Sequence, residues 1–270
     1  MIKAEYHLHT TFCDGKNTPR EIVDEAILKE IKILGFSGHS IGHTDYSWCM
    51  TEAKTEDYKK EITALKQEYC DKIEILLGIE QDFYARKKAE GFDYIIGSVH
   101  FIKIEDEYIP MDSDAEIFKK AADKYFKGDT LKIAELYFEN VSRLKEVTNC
   151  DIIGHFDVLT KHFDKTPIID NKHPRYLNAA KKAIEKLANE NVLFEINTGA
   201  ISRGYKKNPY PSIELLKYIK EQNGKIIITG DCHKKDKLLD NYETAILYAK
   251  SAGFNKAAYI TSGEIKYFDL

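Results

Sequence analysis

A chain of 270 residues, 43% of them hydrophobic, is long enough to bury one large core, and α/β barrels of about 250 residues commonly form one domain, so residues 1–270 are expected to fold as one unit. A formal net charge of -4 gives no general attraction for nucleic acid or an anionic membrane, and neither is expected as a partner. Five cysteines with no Cys-X-X-Cys argue against a disulfide framework and a thiolate zinc ribbon; without a leader pattern or a long apolar run, the chain reads as soluble and cytoplasmic.

Ile2, Ala4, Tyr6 and Leu8 alternate with Lys3, Glu5, His7 and His9, the two-residue period of a strand, so both histidines project from one face at its end. Asp14, in the short Gly15-containing loop that follows, is close enough to turn back with a carboxylate. Thr18-Pro19-Arg20-Glu21 is a capping box with proline at the first helical position, and Ile22, Val23, Ala26, Ile27 and Ile31 give the stripe of a helix over 19–31. A strand over 33–39 ends at His39, and a loop with His43, Asp45, Tyr46 and Trp48 follows. Thr55 is placed to cap a helix through 69. The apolar run 73–79 reads as a buried strand ending at Glu80, and the run 94–99 as another ending at His100.

Residues 113–148 read as two amphipathic helices, the second capped by Asp129. The segment 151–154 leads to His155 and Asp157, a helix covers 173–190, and 192–197 forms a sixth strand. Pro211 and Ser212 open a helix to 222; 225–230 leads into Asp231-Cys232-His233. A helix near 240–252 and a short strand at 257–260 complete the chain. At least six apolar strands alternating with helices point to a parallel sheet, closed into a barrel or left open. In a parallel barrel the carboxyl ends share one face, so His7, His9, His39, Glu80, His100, His155, Asp231 and His233 are expected to converge there. His162 and His173 do not sit at strand ends and read as surface residues. Imidazoles and carboxylates without thiolates suit Zn²⁺, Mn²⁺ or Fe²⁺, and Cys232 is expected to face away from Asp231 and His233.

His-X-His-Thr with Asp14-Gly15 after it, Gly38-His39-Ser40, Gly78-Ile79-Glu80, Gly97-Ser98-Val99-His100, Gly154-His155 and Gly230-Asp231-Cys232-His233 resemble the successive motifs of the polymerase and histidinol phosphatase (PHP) superfamily. Glu195-Ile196-Asn197-Thr198-Gly199, followed by Arg203 and Tyr210-Pro211-Ser212, is similar to its histidinol-phosphatase branch. The resemblance implies an α/β fold, a distorted (β/α)7 TIM-like barrel with its active site at the C-terminal strand ends. It also implies three divalent metal ions, zinc, manganese or iron, and hydrolysis of L-histidinol phosphate in histidine biosynthesis by a metal-bridging hydroxide. By the family pattern, His7, His9, Glu80 and Asp231 hold one ion, with Glu80 bridging to a second at His100 and His155. Asp14, His39 and His233 hold the third, where some relatives have a histidine in place of Asp14.

Alongside Glu80 and Asp231, His43 is a candidate catalytic residue, protonating the departing alkoxide or touching the substrate's imidazole. Arg203 and Lys161 lie just beyond strand ends and are candidates to clamp the phosphate, Arg203 without effect on metal content. Glu195 is expected to pair with the substrate's ammonium and Trp48 to pack on its ring. Rival readings are a phosphodiesterase or exonuclease, or another phosphomonoesterase, of the same superfamily. From a different class, a metal sensor would have the ligands and no turnover.

Overall fold

Short runs of β-branched and aliphatic residues make the seven strands of the barrel, all parallel and each paired to the next, in the computed structural model, which describes residues 3–270; a further strand, Lys256–Thr261, then pairs with the seventh, also in parallel. Ile2, the first apolar position of the expected opening strand, lies outside them. The strands are β1 (Ala4–Glu5), β2 (Ile33–Phe36), β3 (Glu74–Asp82), β4 (Tyr94–Ser98), β7 (Ile152–Ile153), β8 (Leu193–Asn197) and β9 (Lys225–Thr229). A hairpin of β5 (Phe101–Ile104) and β6 (Glu107–Pro110) stands apart from them, and β10 (Lys256–Thr261) with β11 (Glu264–Asp269) extends the sheet beyond β9.

The sheet curls until the chain beyond β1 meets the chain beyond β9. Beyond β1, Leu8 bridges Cys232 beyond β9; the His9 N–H donates to the Cys232 carbonyl at 2.9 Å and the Cys232 N–H to the His7 carbonyl at 2.8 Å. The choice left open between an open sheet and a barrel is therefore resolved as a distorted barrel with a one-bridge seam. Regular pairing of β1 stops at Glu5 because its own carboxylate accepts the Tyr6 and His7 N–H groups, both at 3.0 Å, and that of Gly230 at 2.9 Å across the seam.

Side chains spaced by two along the strands, among them Tyr6, Leu76, Tyr94, Ile96, Leu193 and Ile227, fill the inner face of the sheet. Tyr94 lies across Gly35 and Gly78, where a Cβ would come within 2.4 and 2.3 Å of its ring and hydroxyl, so only glycine leaves room. A larger apolar cluster joins the outer face to the helices α1 (Pro19–Leu28), α2 (Glu52–Glu68), α3 (Ala115–Phe126), α4 (Leu131–Val141), α5 (Leu144–Thr148), α6 (Pro174–Ala188), α7 (Gly199–Ser202), α8 (Ile213–Glu221) and α9 (Tyr242–Ser251).

The Thr18 capping box forms as expected, with both reciprocal hydrogen bonds present. At α2 the cap is Thr51, whose hydroxyl oxygen accepts the Lys54 N–H at 3.2 Å; Thr55 lies one turn further in and donates to the Thr51 carbonyl. The segment 113–148 holds three helices instead of two, because Lys127 adopts a left-handed conformation and the chain turns again at Ser142 and Arg143. Among the described residues no helix is long and apolar enough to cross a membrane.

Candidate metal centre

Even-numbered residues of β3 face inward, so Glu80 projects into the mouth of the barrel, 1% exposed, while Gly78 beneath it lies against Tyr94. His39, just past β2, is bridged to Glu80 through the backbone and brings its Nδ1 to 2.8 Å from Glu80 Oε2. The seam places His7 Nε2 and His9 Nε2 at 3.3 and 3.6 Å from the same oxygen. From β7 and β4 respectively, His155 Nε2 and His100 Nε2 lie 3.0 and 3.3 Å from Oε1. One buried carboxylate thus stands among five imidazoles.

The remaining expected ligands close the ring. Asp231, beyond β9, takes a left-handed turn at φ 46° and sets Oδ1 3.5 Å from His9 Nε2. Asp14 has Oδ2 at 3.2 Å from His233 Nε2 and Oδ1 at 3.6 and 3.7 Å from His9 and His39. All nine expected ligands come together, in four overlapping groups: His9, Asp14, His39 and His233; His7, Glu80 and His155; His7, His9 and Asp231; His39, Glu80 and His100. Shared members make this the geometry of a multinuclear centre.

The donor chemistry fits divalent metal. His7 Nε2, His9 Nε2, Asp14 Oδ1 and Glu80 Oε2 are buried with no hydrogen-bond partner, a costly arrangement for a site without an ion. Burial pulls His9 down to about 3, with His233 and His39 adding to it, so its nitrogen is free to ligate. Burial alone would raise Glu80, but the charges of His39, His7 and His100 hold it well below the usual carboxylate range. The same balance, led by Arg203 and His7, keeps Asp231 ionised. Burial opposes protonation of His7, yet Glu195, Glu80 and Asp231 outweigh it, and a field that favours a proton there favours a cation. Cys232 turns away as expected, its thiol donating to the Lys234 carbonyl at 2.9 Å.

Beside this cluster lies a cavity of about 540 Å³. Trp48 lines it and meets the His39 ring edge-on at 4.8 Å. Lys161 also lines it, its ammonium 3.2 Å from Asp112. Arg203 reaches the cavity, but its guanidinium is spread over Asp231, donating to the backbone carbonyl at 2.7 Å and to Oδ2 at 3.0 Å. The guanidinium thus braces an expected ligand, against the expectation that Arg203 has no effect on metal content.

His43 stacks on Tyr108 at 3.6 Å, and its Nε2 is engaged at 2.8 Å by the hydroxyl of Tyr46, a wall of the cavity. One further expectation is corrected. Glu195 is wholly buried, with Oε1 2.6 Å from His7 Nδ1 and Oε2 accepting from the His155 backbone, so it cannot meet a substrate ammonium. Of the two remaining histidines, His173 caps α6 by accepting the Arg175 N–H, and His162 packs edge-on to Tyr205.

Asp82 was missed in the sequence. It lies two residues past Glu80 on the same face of β3 and accepts from His100 Nδ1 at 3.1 Å, so the Glu-X-Asp spacing was the available signal. The β5–β6 hairpin was missed too; it brings Phe101 and Pro110 to the cavity, with Asp112 just after it. Phe101 lies near-parallel to Tyr46 and Trp48, forming an aromatic wall.

Residues 5–199 match the PHP domain family. The histidinol-phosphatase of Bacillus subtilis is 26% identical over 259 residues, 87% of this chain and 94% of that protein. The crystal structure of histidinol phosphate phosphatase from Lactococcus lactis, complexed with zinc, L-histidinol and phosphate, superposes with a TM-score of 0.74 at 25% identity over 98% of each chain. A shorter stretch is 27% identical over 118 residues to the DNA polymerase/3'-5' exonuclease PolX of Bacillus subtilis, covering 41% of this chain and 20% of that one.

Proposed function

Because this chain belongs to the PHP domain family and is a metal-dependent phosphoesterase of that kind, we propose that it hydrolyses L-histidinol phosphate to L-histidinol and phosphate. The observation that carries the reading is the convergence of nine buried or half-buried side chains able to ligate metal, Glu80 at their centre, beside a cavity sized for a small molecule. Near full-length likeness to histidinol phosphatases supports this choice of substrate.

In this reading His7, His9, Glu80 and Asp231 hold one divalent ion, Glu80, His100 and His155 a second, and Asp14, His39 and His233 a third, each zinc, manganese or iron. Bound there, the ions supply Lewis acidity toward phosphoryl oxygens and lower the pKa of a water nucleophile. The chain supplies the rest. Glu80 and Asp231 keep their negative charge in a buried setting and so set the spacing of the positive charge. Lys161, held by Asp112, and Arg203, held by Asp231, line the side where nonreacting phosphate oxygens are stabilised. The Tyr46, Trp48 and Phe101 faces offer a planar surface to the imidazole of the leaving alcohol. His43 lies behind this wall and orients the Tyr46 hydroxyl rather than touching substrate.

Phosphate release is the direct test. Loaded with Zn²⁺ or Mn²⁺, the protein is expected to show its highest kcat/KM on L-histidinol phosphate when compared with other phosphomonoesters, a phosphodiester and single-stranded DNA. The partial likeness to PolX favours the exonuclease alternative, and a preference for DNA or diester would establish it. A protein that binds metal and turns over none of these would be a sensor.

Arg203 gives a second test. Its replacement by alanine removes charge-assisted hydrogen bonds typically worth about 1.5–3 kcal/mol, and kcat/KM is expected to fall roughly ten- to hundredfold. Because the guanidinium also braces Asp231, metal occupancy should fall with it. Arg203→Lys restores charge without the planar fork and should recover part of the rate. Wild-type kinetics and phosphate inhibition in both variants would remove Arg203 from the site.

A further inference from the structure

Glu195 is a fully buried carboxylate for which the proposed reaction has no use, and its surroundings are demanding. It stands on β8 one step below the mouth, on the inward face it shares with Asn197. Oε1 lies 2.6 Å from His7 Nδ1 and accepts from the Thr229 hydroxyl, also at 2.6 Å. Oε2 accepts from the His155 backbone N–H and from Asn197 Nδ2 at 2.9 Å. The Asn197 amide has its orientation set, since its Oδ1 accepts the Gly199 N–H at 2.9 Å. Four donors therefore converge on two oxygens, which a carboxylate satisfies and an amide cannot.

Resting on the metal-centre reading above, we infer that Glu195 is a positioning residue: it holds His7 with Nδ1 protonated and Nε2 bare toward the metals, and ties the backbone of His155 to the same group. His7 and His155 each turn a nitrogen toward Glu80, in the sets assigned above to the first and second ions, so one carboxylate steadies a ligand of each. Asp82 does the same for His100, with its Oδ2 also accepting the His100 backbone N–H at 3.1 Å. A carboxylate behind a ligating imidazole fixes the tautomer and raises the basicity of the ligating nitrogen.

Glutamine is the informative substitution because it keeps the shape and reverses one donor. If its NH₂ faces His155 N–H and Asn197 Nδ2, donor meets donor. If it faces His7, the Thr229 hydroxyl can rotate to accept, and His7 can accept at Nδ1 only by moving its own proton to Nε2, the nitrogen the metal needs. The second arrangement leaves fewer conflicts, so Glu195→Gln should turn His7 into a non-ligating tautomer.

The experiment uses Zn²⁺ alone and needs no substrate. In the zinc-loaded wild-type protein, long-range ¹H–¹⁵N correlation should show His7 with zinc at Nε2 and a strongly deshielded, slowly exchanging proton on Nδ1. Chelator competition should show Glu195→Gln binding zinc roughly 10- to 100-fold more weakly, with that proton signal lost. Glu195→Asp keeps both acceptor oxygens and should retain the Nδ1 proton, with a smaller loss of affinity. Zinc bound through Nδ1 of wild-type His7, or equal zinc affinity in wild type and Glu195→Gln, overturns the inference and leaves the phosphatase reading standing. A wild-type protein that binds no zinc overturns the inference, and one that binds none of zinc, manganese and iron overturns the phosphatase reading with it. The wild-type spectrum decides the matter even where a variant fails to fold.

Discussion

Glu80→Gln should lose metal and reduce kcat/KM by more than the roughly hundredfold typical of a residue that only supports a ligand. Five imidazoles surround the two oxygens of Glu80, and both oxygens are used: Oε2 toward His7, His9 and His39, Oε1 toward His100 and His155. Glutamine keeps one acceptor and replaces the other with an NH₂ that donates toward nitrogens expected to ligate. It also removes the negative charge that offsets neighbouring cations in a setting where each charge is poorly screened. Metal analysis of the purified variant, alongside phosphate release, checks both halves. Normal metal content with a normal rate would dismiss Glu80 as the shared ligand.

Stripping the metals is expected to abolish turnover and leave the barrel folded. The apolar clusters on the two faces of the sheet do not depend on the centre, and the seam is held by backbone hydrogen bonds. The far-ultraviolet circular dichroism of the chelated protein should therefore stay close to that of the loaded one, with activity returning when metal is added back. Its melting temperature should nonetheless fall, because ions that bind only the folded state stabilise it by about 2.7 kcal/mol at a hundredfold excess over Kd. Loss of the helical spectrum on chelation would place this chain with metal-dependent folders such as zinc fingers. Full activity after metal removal, verified by elemental analysis, would defeat the metal-dependent reading itself.

Features whose cause is local could be read directly from the residues. The Thr18 capping box needs four consecutive positions, and the histidines at strand ends need only strand periodicity and parallel order to meet. Elements with little apolar signature were lost: β11 alternates Ile265 and Tyr267 with Glu264 and Lys266 and is largely exposed, so it resembled a tail. The β5–β6 hairpin turns on Glu105 and Asp106, without the Asn-Gly or Asp-Gly signal that marks the commonest tight hairpins. Glu195 was misassigned for a geometric reason. Membership of a motif beside the site says nothing about depth, and the parity of β8 turns this carboxylate inward below the mouth, behind His7. Arg203 was placed in the right region, but its engagement with Asp231 depends on a left-handed turn at an ordinary residue, which no spacing rule announces.

The seam at Leu8 and Cys232 also sets the timing of assembly during synthesis. Glu5 reaches Gly230 across 225 residues, so the first strand has no partner on that side until nearly the whole barrel has left the ribosome. At translation rates of about 5–20 residues per second, His7 and His9 wait roughly 10–45 s for Asp231 to exist. Until then the nascent chain carries an unpaired strand edge and a ligand set that has Glu80 but not Asp231. Polypeptides released before that point hold an open sheet and a fractional ligand set, material suited to quality control rather than to catalysis.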